Sequence, residues 1–178
     1  YNIWGYSEAQ ANGLGALSAL GIQTMMELGD SFSDEFGFSY EDMIMNIVGA
    51  GTAYVLGRYP VLKSKIDLRV EYKPDTLSDF TGDIFTDYEK QNYILVLKLD
   101  GFEMIKDSYL GYLELHMGYF TRGYEEFRDS RPDERERSLF FGVGFNVTKA
   151  IKKLANFSLF NYVQAPYVSA TKDVSLDD

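Results

Sequence analysis

Four oxygen-bearing side chains in the first third of the chain, Glu27, Asp30, Asp42 and Asn46, have the types and spacing to build a polar site. Glu27 and Asp30 stand three residues apart and Asp42 and Asn46 four apart, so on helices each pair shares a face. Brought together, carboxylate and amide oxygens suit a hard cation such as Ca2+ or Mg2+, or a polar headgroup. Used singly, they are caps and loop anchors, the commoner employment of Asp, Asn and Ser around a turn. No loop has EF-hand spacing, so a site without a cofactor is expected ahead of a divalent-cation-binding module.

Two helices must position these groups. Ser39 reads as an N-cap with Asp42 three residues on, a capping box with Asp in place of Glu or Gln, so a helix is predicted from Tyr40. It ends at Arg58, before Tyr59-Pro60, because the residue preceding proline is driven out of the helical region. A preceding helix is predicted over Ser7 to Leu28. Its last turn is a poor place for Glu27 and Asp30, since the partial negative charge of a helix C-terminus requires a compensating donor or cation there. The short connection from Ser31 to Phe38 folds the helices antiparallel and gathers the four groups at one tip. Small residues at intervals of four, Ala11, Gly15 and Ala19 against Gly49, Ala53 and Gly57, predict a close helix crossing. Glu8, Gln10, Asn12 and Gln23 in the first helix, and Asp42 and Asn46 in the second, argue against spanning a bilayer.

After Pro60 the period changes from helical to alternating. Lys65 to Lys73 places apolar and charged residues in strict alternation, a half-buried strand. Further strands are predicted over Tyr93 to Leu99, Tyr109 to Thr121 and Ser138 to Thr148, giving a four-stranded antiparallel meander. Gly142 and Gly144 leave one face of the last strand bare, where a ring or another backbone should cross. The charged run 122–137 reads as a solvated loop. An amphipathic helix is predicted over Lys149 to Tyr162, followed by a frayed tail. The fold class is therefore α+β: a close-packed helical hairpin (1–59), an antiparallel sheet (60–148) and a C-terminal helix and tail (149–178) in one domain, with helices covering the sheet. His116, the only histidine, falls on the polar side of its strand with Glu114 and is expected to be solvated. No Gly-x-Ser-x-Gly elbow supports a hydrolase, and no catalytic residue is assigned.

A net charge of -10 and a pI near 4.6 argue against nucleic acid or an anionic membrane surface as the main partner. The chain has no cysteine, which removes disulfides and thiolate metal sites. Its 14 Tyr and 13 Phe against one Trp suit sheets and also the aromatic girdles of outer-membrane proteins, although four strands are too few to close a membrane barrel of about eight. No signal peptide is visible at Tyr1-Asn2-Ile3-Trp4; export requires a leader that was removed or lies before Tyr1.

Glu27, Asp30, Gly37-Phe38-Ser39, Asp42, Asn46 and Gly49-Ala50 together resemble the YfiM-type family of predicted periplasmic lipoproteins of unknown function, itself similar to VanZ-like proteins. The segment Asp87-Tyr88-Glu89-Lys90-Gln91-Asn92-Tyr93 is similar to the Asp-Tyr-x-x-Gln-x-Tyr segment of longer envelope members. One departure is that the family's earlier Asp-Lys-x-x-His helix has no counterpart between Tyr1 and Ala11. If that helix completes a site with Glu27 and Asp42, this chain is a fragment or has lost it. The resemblance implies export to the envelope of a Gram-negative-type bacterium, on the periplasmic side of the outer membrane, and brings no established activity. The expectation is a non-catalytic structural or accessory subunit, partnered by an envelope or outer-membrane complex with lipid contact and no nucleic acid. The rival is an envelope enzyme acting on lipid or cell-wall precursors with Asp42, Glu27 and His116.

Overall fold

A computed structural model describes residues 2–32, 37–74, 87–123, 135–151, 160, 162–165 and 168–177. The chain divides into two compact units, Tyr1–Lys63 and Ser64–Asp178.

In the first unit, α1 spans Glu8–Asp30 and α2 spans Tyr40–Arg58, with a one-turn helix, α3, over Pro60–Lys63. α1 starts where Ser7 Oγ accepts from the Gln10 N–H at 3.3 Å and the Gln10 side chain accepts from the Ser7 N–H at 3.0 Å, a reciprocal capping box. It runs two residues beyond the predicted end. α2 has the predicted bounds and the predicted cap, Ser39 Oγ accepting from the Asp42 N–H at 3.1 Å. The pairing is antiparallel: Asn12 Nδ2 donates to the Tyr54 carbonyl at 2.9 Å, Thr24 Oγ1 lies 3.9 Å from Met43 Sδ, and the Ser39 N–H donates to Glu27 Oε2 at 3.4 Å. The small-residue stripes do not form the crossing as predicted. Space around Gly15 and Gly49 is open, whereas a Cβ on Gly57 would collide with the Asn12 amide. The Asn12 hydrogen bond fixes the contact line through Asn12, Thr24 and Glu27 and turns Gly15 away from it.

The second unit is a six-stranded mixed sheet in the order β5-β1-β2-β3-β4-β6, built from β1 (Ile66–Tyr72), β2 (Gln91–Lys98), β3 (Leu113–Arg122), β4 (Glu136–Phe145), β5 (Val163–Gln164) and β6 (Ser169–Ser175). β1 to β4 form the predicted antiparallel meander at its centre. The four-stranded expectation is too small: β5 adds in parallel to β1, and β6 adds antiparallel to β4. The tail expected to fray is β6, whose backbone pairs Ser138 through Gly144 of β4. Its alternation is mostly polar, so it carried no apolar signal.

Two boundaries moved for identifiable reasons. Tyr109–Tyr112 is a 3-10 turn rather than strand, because buried Gly111 lies so near the Ile105 and Lys106 carbonyls that no Cβ would fit. β4 stops at Phe145 because Asn146 caps the next helix, its Oδ1 accepting from the Lys149 N–H at 2.8 Å. That helix, α4, covers Val147–Ile151, starting before the predicted Lys149. Its predicted continuation over 152–159 lies outside the described residues.

The largest correction concerns which face of the sheet is inside. The buried side of the central strands carries Asp67, Arg69, Glu71, Asn92, Lys98, Glu114 and His116, with an apolar core, among the described residues, of Ile94, Val96 and Phe140. The opposite side is exposed and apolar. Its cross-strand rows read Val70-Tyr93-Tyr119-Leu139-Val174, Leu68-Leu95-Met117-Phe141-Lys172 and Ile66-Leu97-Leu115-Val143-Ala170, with Leu113-Phe145 beyond, so that Lys172 of the edge strand is their one charge. Met117 is 45% exposed and Phe141 49%. Alternation was read correctly, but the faces are exchanged: the charged side closes on itself through ion pairs, and the apolar side is left uncovered.

Candidate functional site

The centre of the buried face is an ion network spanning three strands. Arg69 of β1 reaches Glu114 of β3 with both terminal nitrogens, Nη1 to Oε2 and Nη2 to Oε1, each at 2.8 Å. This is the parallel two-bond fork in which a guanidinium holds a carboxylate most strongly. Arg69 also donates to Gln164 Oε1 of β5 at 2.8 Å and to Asp67 Oδ2 at 2.9 Å, and Lys98 Nζ donates to Asp67 Oδ1 at 2.8 Å. The Glu114 side chain has no exposed surface.

Electrostatics follow from this packing. Burial would lower the Arg69 pKa, but the Glu114 and Asp67 carboxylates outweigh it and hold the guanidinium above its ordinary value. Burial would raise the Glu114 carboxyl, yet His116 and Arg69 hold it below the usual glutamate range. His116 Nε2 stands 3.5 Å from Glu114 Oε2, and neither imidazole nitrogen, nor Arg69 Nε, makes a hydrogen bond among the described residues. The expectation of a solvated His116 is therefore corrected: the ring is buried, lying where a Cβ on Gly144 would sit. That contact is the ring crossing predicted for the glycine-lined face, while Gly142 lies against the Ala170 backbone of β6.

Clefts open toward both ends of this face. One of about 390 Å³ is lined by Lys98, Asp100, Lys106, Asn146 and Lys149 among others. Burial raises the Asp100 carboxyl despite the opposing pull of Lys149 and Lys98, and Asp100 Oδ1 is buried without a hydrogen-bond partner among the described residues. The other, of about 280 Å³, is lined by Glu71, Asn92, Phe120, Arg122 and Glu136 among others. There Asn92 Nδ2 donates to Glu71 Oε2 at 2.8 Å, and Arg122 Nη2 donates to Asn92 Oδ1 at 2.9 Å. Two of the basic groups lining the first cleft are engaged by the protein itself, Lys98 by Asp67 and Lys149 by the Lys106 carbonyl.

At the tip of the helical hairpin, Glu27 and Ser39 meet through the hydrogen bond across the turn, and Ser39 caps Asp42. Glu27 thereby has the backbone donor that its place in the last turn of α1 required. Asp30 ends α1 on the exposed surface, and Asn46 lies one turn beyond Asp42 on α2, half-buried. No three acidic or imidazole side chains among the described residues are grouped so that they could hold a metal ion.

Arg69, Asp67 and Lys98 do not stand out as site residues because a charged residue in a strand reads as solvent-facing, and Gln164 lies in a two-residue strand, too short to give an alternation signal. One signal pointed the other way. Positions 66, 68 and 70, 93, 95 and 97, 113, 115 and 117, and 141, 143 and 145 carry no charge or amide, a regularity greater than a half-covered sheet needs.

Residues 1–58 match the family model described as predicted periplasmic lipoprotein (DUF2279). No curated protein and no solved structure matches the chain. Over about its first third, the part holding the helical hairpin, the chain is similar to predicted periplasmic lipoproteins of unknown function.

Proposed function

We propose that this is a non-catalytic protein of the cell envelope, a structural or accessory subunit associated with the outer membrane or a larger envelope complex. The observation that carries the reading is the closure of the buried ion network. Arg69 is bonded to Glu114, Asp67 and Gln164, and Lys98 is bonded to Asp67. A carboxylate held below its ordinary range by a two-bond guanidinium is a poor proton acceptor, since general bases work best with pKa values near the operating pH. The network thus behaves as an internal brace. The likeness of residues 1–58 to periplasmic lipoproteins supports the location, and the motif around Gly37 to Ala50 supports a finer kinship with YfiM-type and VanZ-like proteins.

Producing cells carrying Glu27→Gln with Asp42→Asn, and separately His116→Gln, test the reading. The expected outcome is unchanged turnover of lipid and cell-wall precursor pools, with the native chain co-purifying with an envelope complex after detergent extraction. A pool that accumulates with the Glu27→Gln/Asp42→Asn variant or with the His116→Gln variant, while the variant protein stays folded, would overturn it in favour of an enzyme.

A further inference from the structure

We infer that the exposed apolar face of the sheet is a lipid-facing surface, so that β1 to β4 form part of a membrane-embedded wall with the ion network on its inner side. This deepens the envelope reading and rests on it. A sheet with one buried face in water normally buries its apolar side. Here the buried side holds the charges and the open side holds none in the rows crossing the four central strands. That is the distribution of an outer-membrane barrel strand, apolar outward and polar inward, and it is the low-energy one only where the outer medium is hydrocarbon.

Three further features point to lipid rather than to a protein partner. Protein interfaces keep a substantial polar share even where they are most apolar, whereas across β1 to β4 the outward rows contain only aliphatic side chains, Met117 and aromatic rings, and Lys172 of the edge strand β6 is the one charge that continues them. Most of the rings sit toward the ends: Tyr93 pairs with Tyr119 in one row, and Tyr112 stacks on Phe145 at 6.0 Å near the other end, with Leu95 and Met117 between and Phe141 the one ring of the middle row. Aromatic belts with an aliphatic middle match the two interfaces and the core of a bilayer. Height agrees as well. β3 and β4 are ten residues each, and at about 3.4 Å per residue with a tilt of about 45° such strands rise about 24 Å, the height of the apolar band in these barrels.

Hydrocarbon also requires every backbone group to be paired. β5 covers β1 for two residues only, and β6 has one neighbour. The six strands among the described residues are fewer than the roughly eight of the smallest membrane barrels, so the embedded form requires further pairing at these edges.

The test uses the full chain reconstituted from detergent into phosphatidylethanolamine and phosphatidylglycerol vesicles. Tryptophan is placed outward by Leu95→Trp or Met117→Trp, and inward by Phe120→Trp, in a Trp4→Phe background. Lipids brominated along the acyl chain should quench the outward tryptophans by more than half and leave the inward one within about a tenth of its emission. To guard against variants that misfold, the unaltered chain is labelled in isolated envelopes with a phospholipid carrying a photoreactive group in mid-chain. Adducts are expected on Leu95, Leu115, Met117 and Phe141. Outward tryptophans left bright, or adducts absent from these strands, overturn the inference. If the chain still sediments with the envelope and is released by alkaline carbonate with a protein partner, the lipid-facing surface fails while the accessory-subunit reading survives. Recovery of the chain outside the envelope sinks both.

Discussion

In the helical hairpin, polar side chains sit at helix ends and surfaces, where Ser7, Ser39 and Glu27 each meet a backbone N–H. In the sheet the strongest charges sit at the centre and meet one another. The same residue types serve two purposes. At a helix end a carboxylate or hydroxyl satisfies a backbone donor that the helix cannot, a gain of about 1 kcal/mol per cap. Buried between strands, a carboxylate first loses several kcal/mol of hydration, which only a close and fully bonded counter-charge offsets. Errors in the two regions should therefore differ several-fold in cost.

The largest difference is expected at Arg69. Replacing it by Met strands Glu114 in a buried site and leaves Asp67 with Lys98 as its ion-pair partner, and loss of one member of such a pair costs about 3–5 kcal/mol. A fall of that size in unfolding free energy, read from denaturant midpoints in detergent, is the expected outcome. Adding Glu114→Leu to Arg69→Met should restore much of the loss, since an apolar replacement of both partners removes the stranded charge. If the double variant is no better than the single one, the ion pair is not the centre of the brace.

Next in size is a charge on the outward face. Leu95→Lys or Leu115→Lys should destabilise the lipid-embedded chain by about 2–4 kcal/mol, yet by no more than about 0.5 kcal/mol if that face meets water. Comparing unfolding in vesicles and in detergent-free buffer decides which solvent the face is built for.

Acid should separate the regions again. Because the folded Glu114 carboxyl lies below its unfolded value, its contribution is fully present above about pH 4.3 and is lost as the pH falls through the lower folded value. The sheet should lose thermal stability in that acid window. Glu114→Gln should flatten the dependence, and an unchanged slope would show that other carboxylates set it.

The smallest effects belong to the hairpin. Ser39→Ala should cost about 1 kcal/mol, the usual loss of an N-cap, visible as reduced helicity by circular dichroism on heating. Glu27→Gln, which keeps an oxygen for the Ser39 N–H, should cost only a few tenths, in line with a surface substitution. A loss of several kcal/mol from Glu27→Gln would mean that the tip has a larger role than capping.

Local chemistry explains which parts of this architecture were legible. Ser39 followed by Asp42, and Arg58 before Tyr59-Pro60, specify α2 within their own neighbourhoods, and alternation fixed the central strands because the side-chain period of two is local. The exchange of faces was not legible in any single strand. It depends on Arg69 finding Glu114 on the second strand over and Gln164 on a strand that adds in parallel. Asn146 misled because an N-cap adopts extended backbone, so the residue before α4 reads as one more strand position. The four polar residues of the hairpin tip were placed near one turn by the antiparallel pairing. Of the four, Glu27 accepts the Ser39 N–H, a bond that depends on where Ser39 points its backbone.

The bond from Arg69 to Gln164 joins residues 95 positions apart, and this separation bears on how the chain acquires its structure. Local helices close in microseconds, but a pairing of such long range must wait for distant segments to meet, and topologies rich in it fold slowly. Until β5 docks, Arg69 is short of one acceptor, and the apolar rows are as open as in the finished fold. A chain in that condition is prone to clump, and its passage from synthesis to destination would favour a holding chaperone that releases it only when the last strands can arrive.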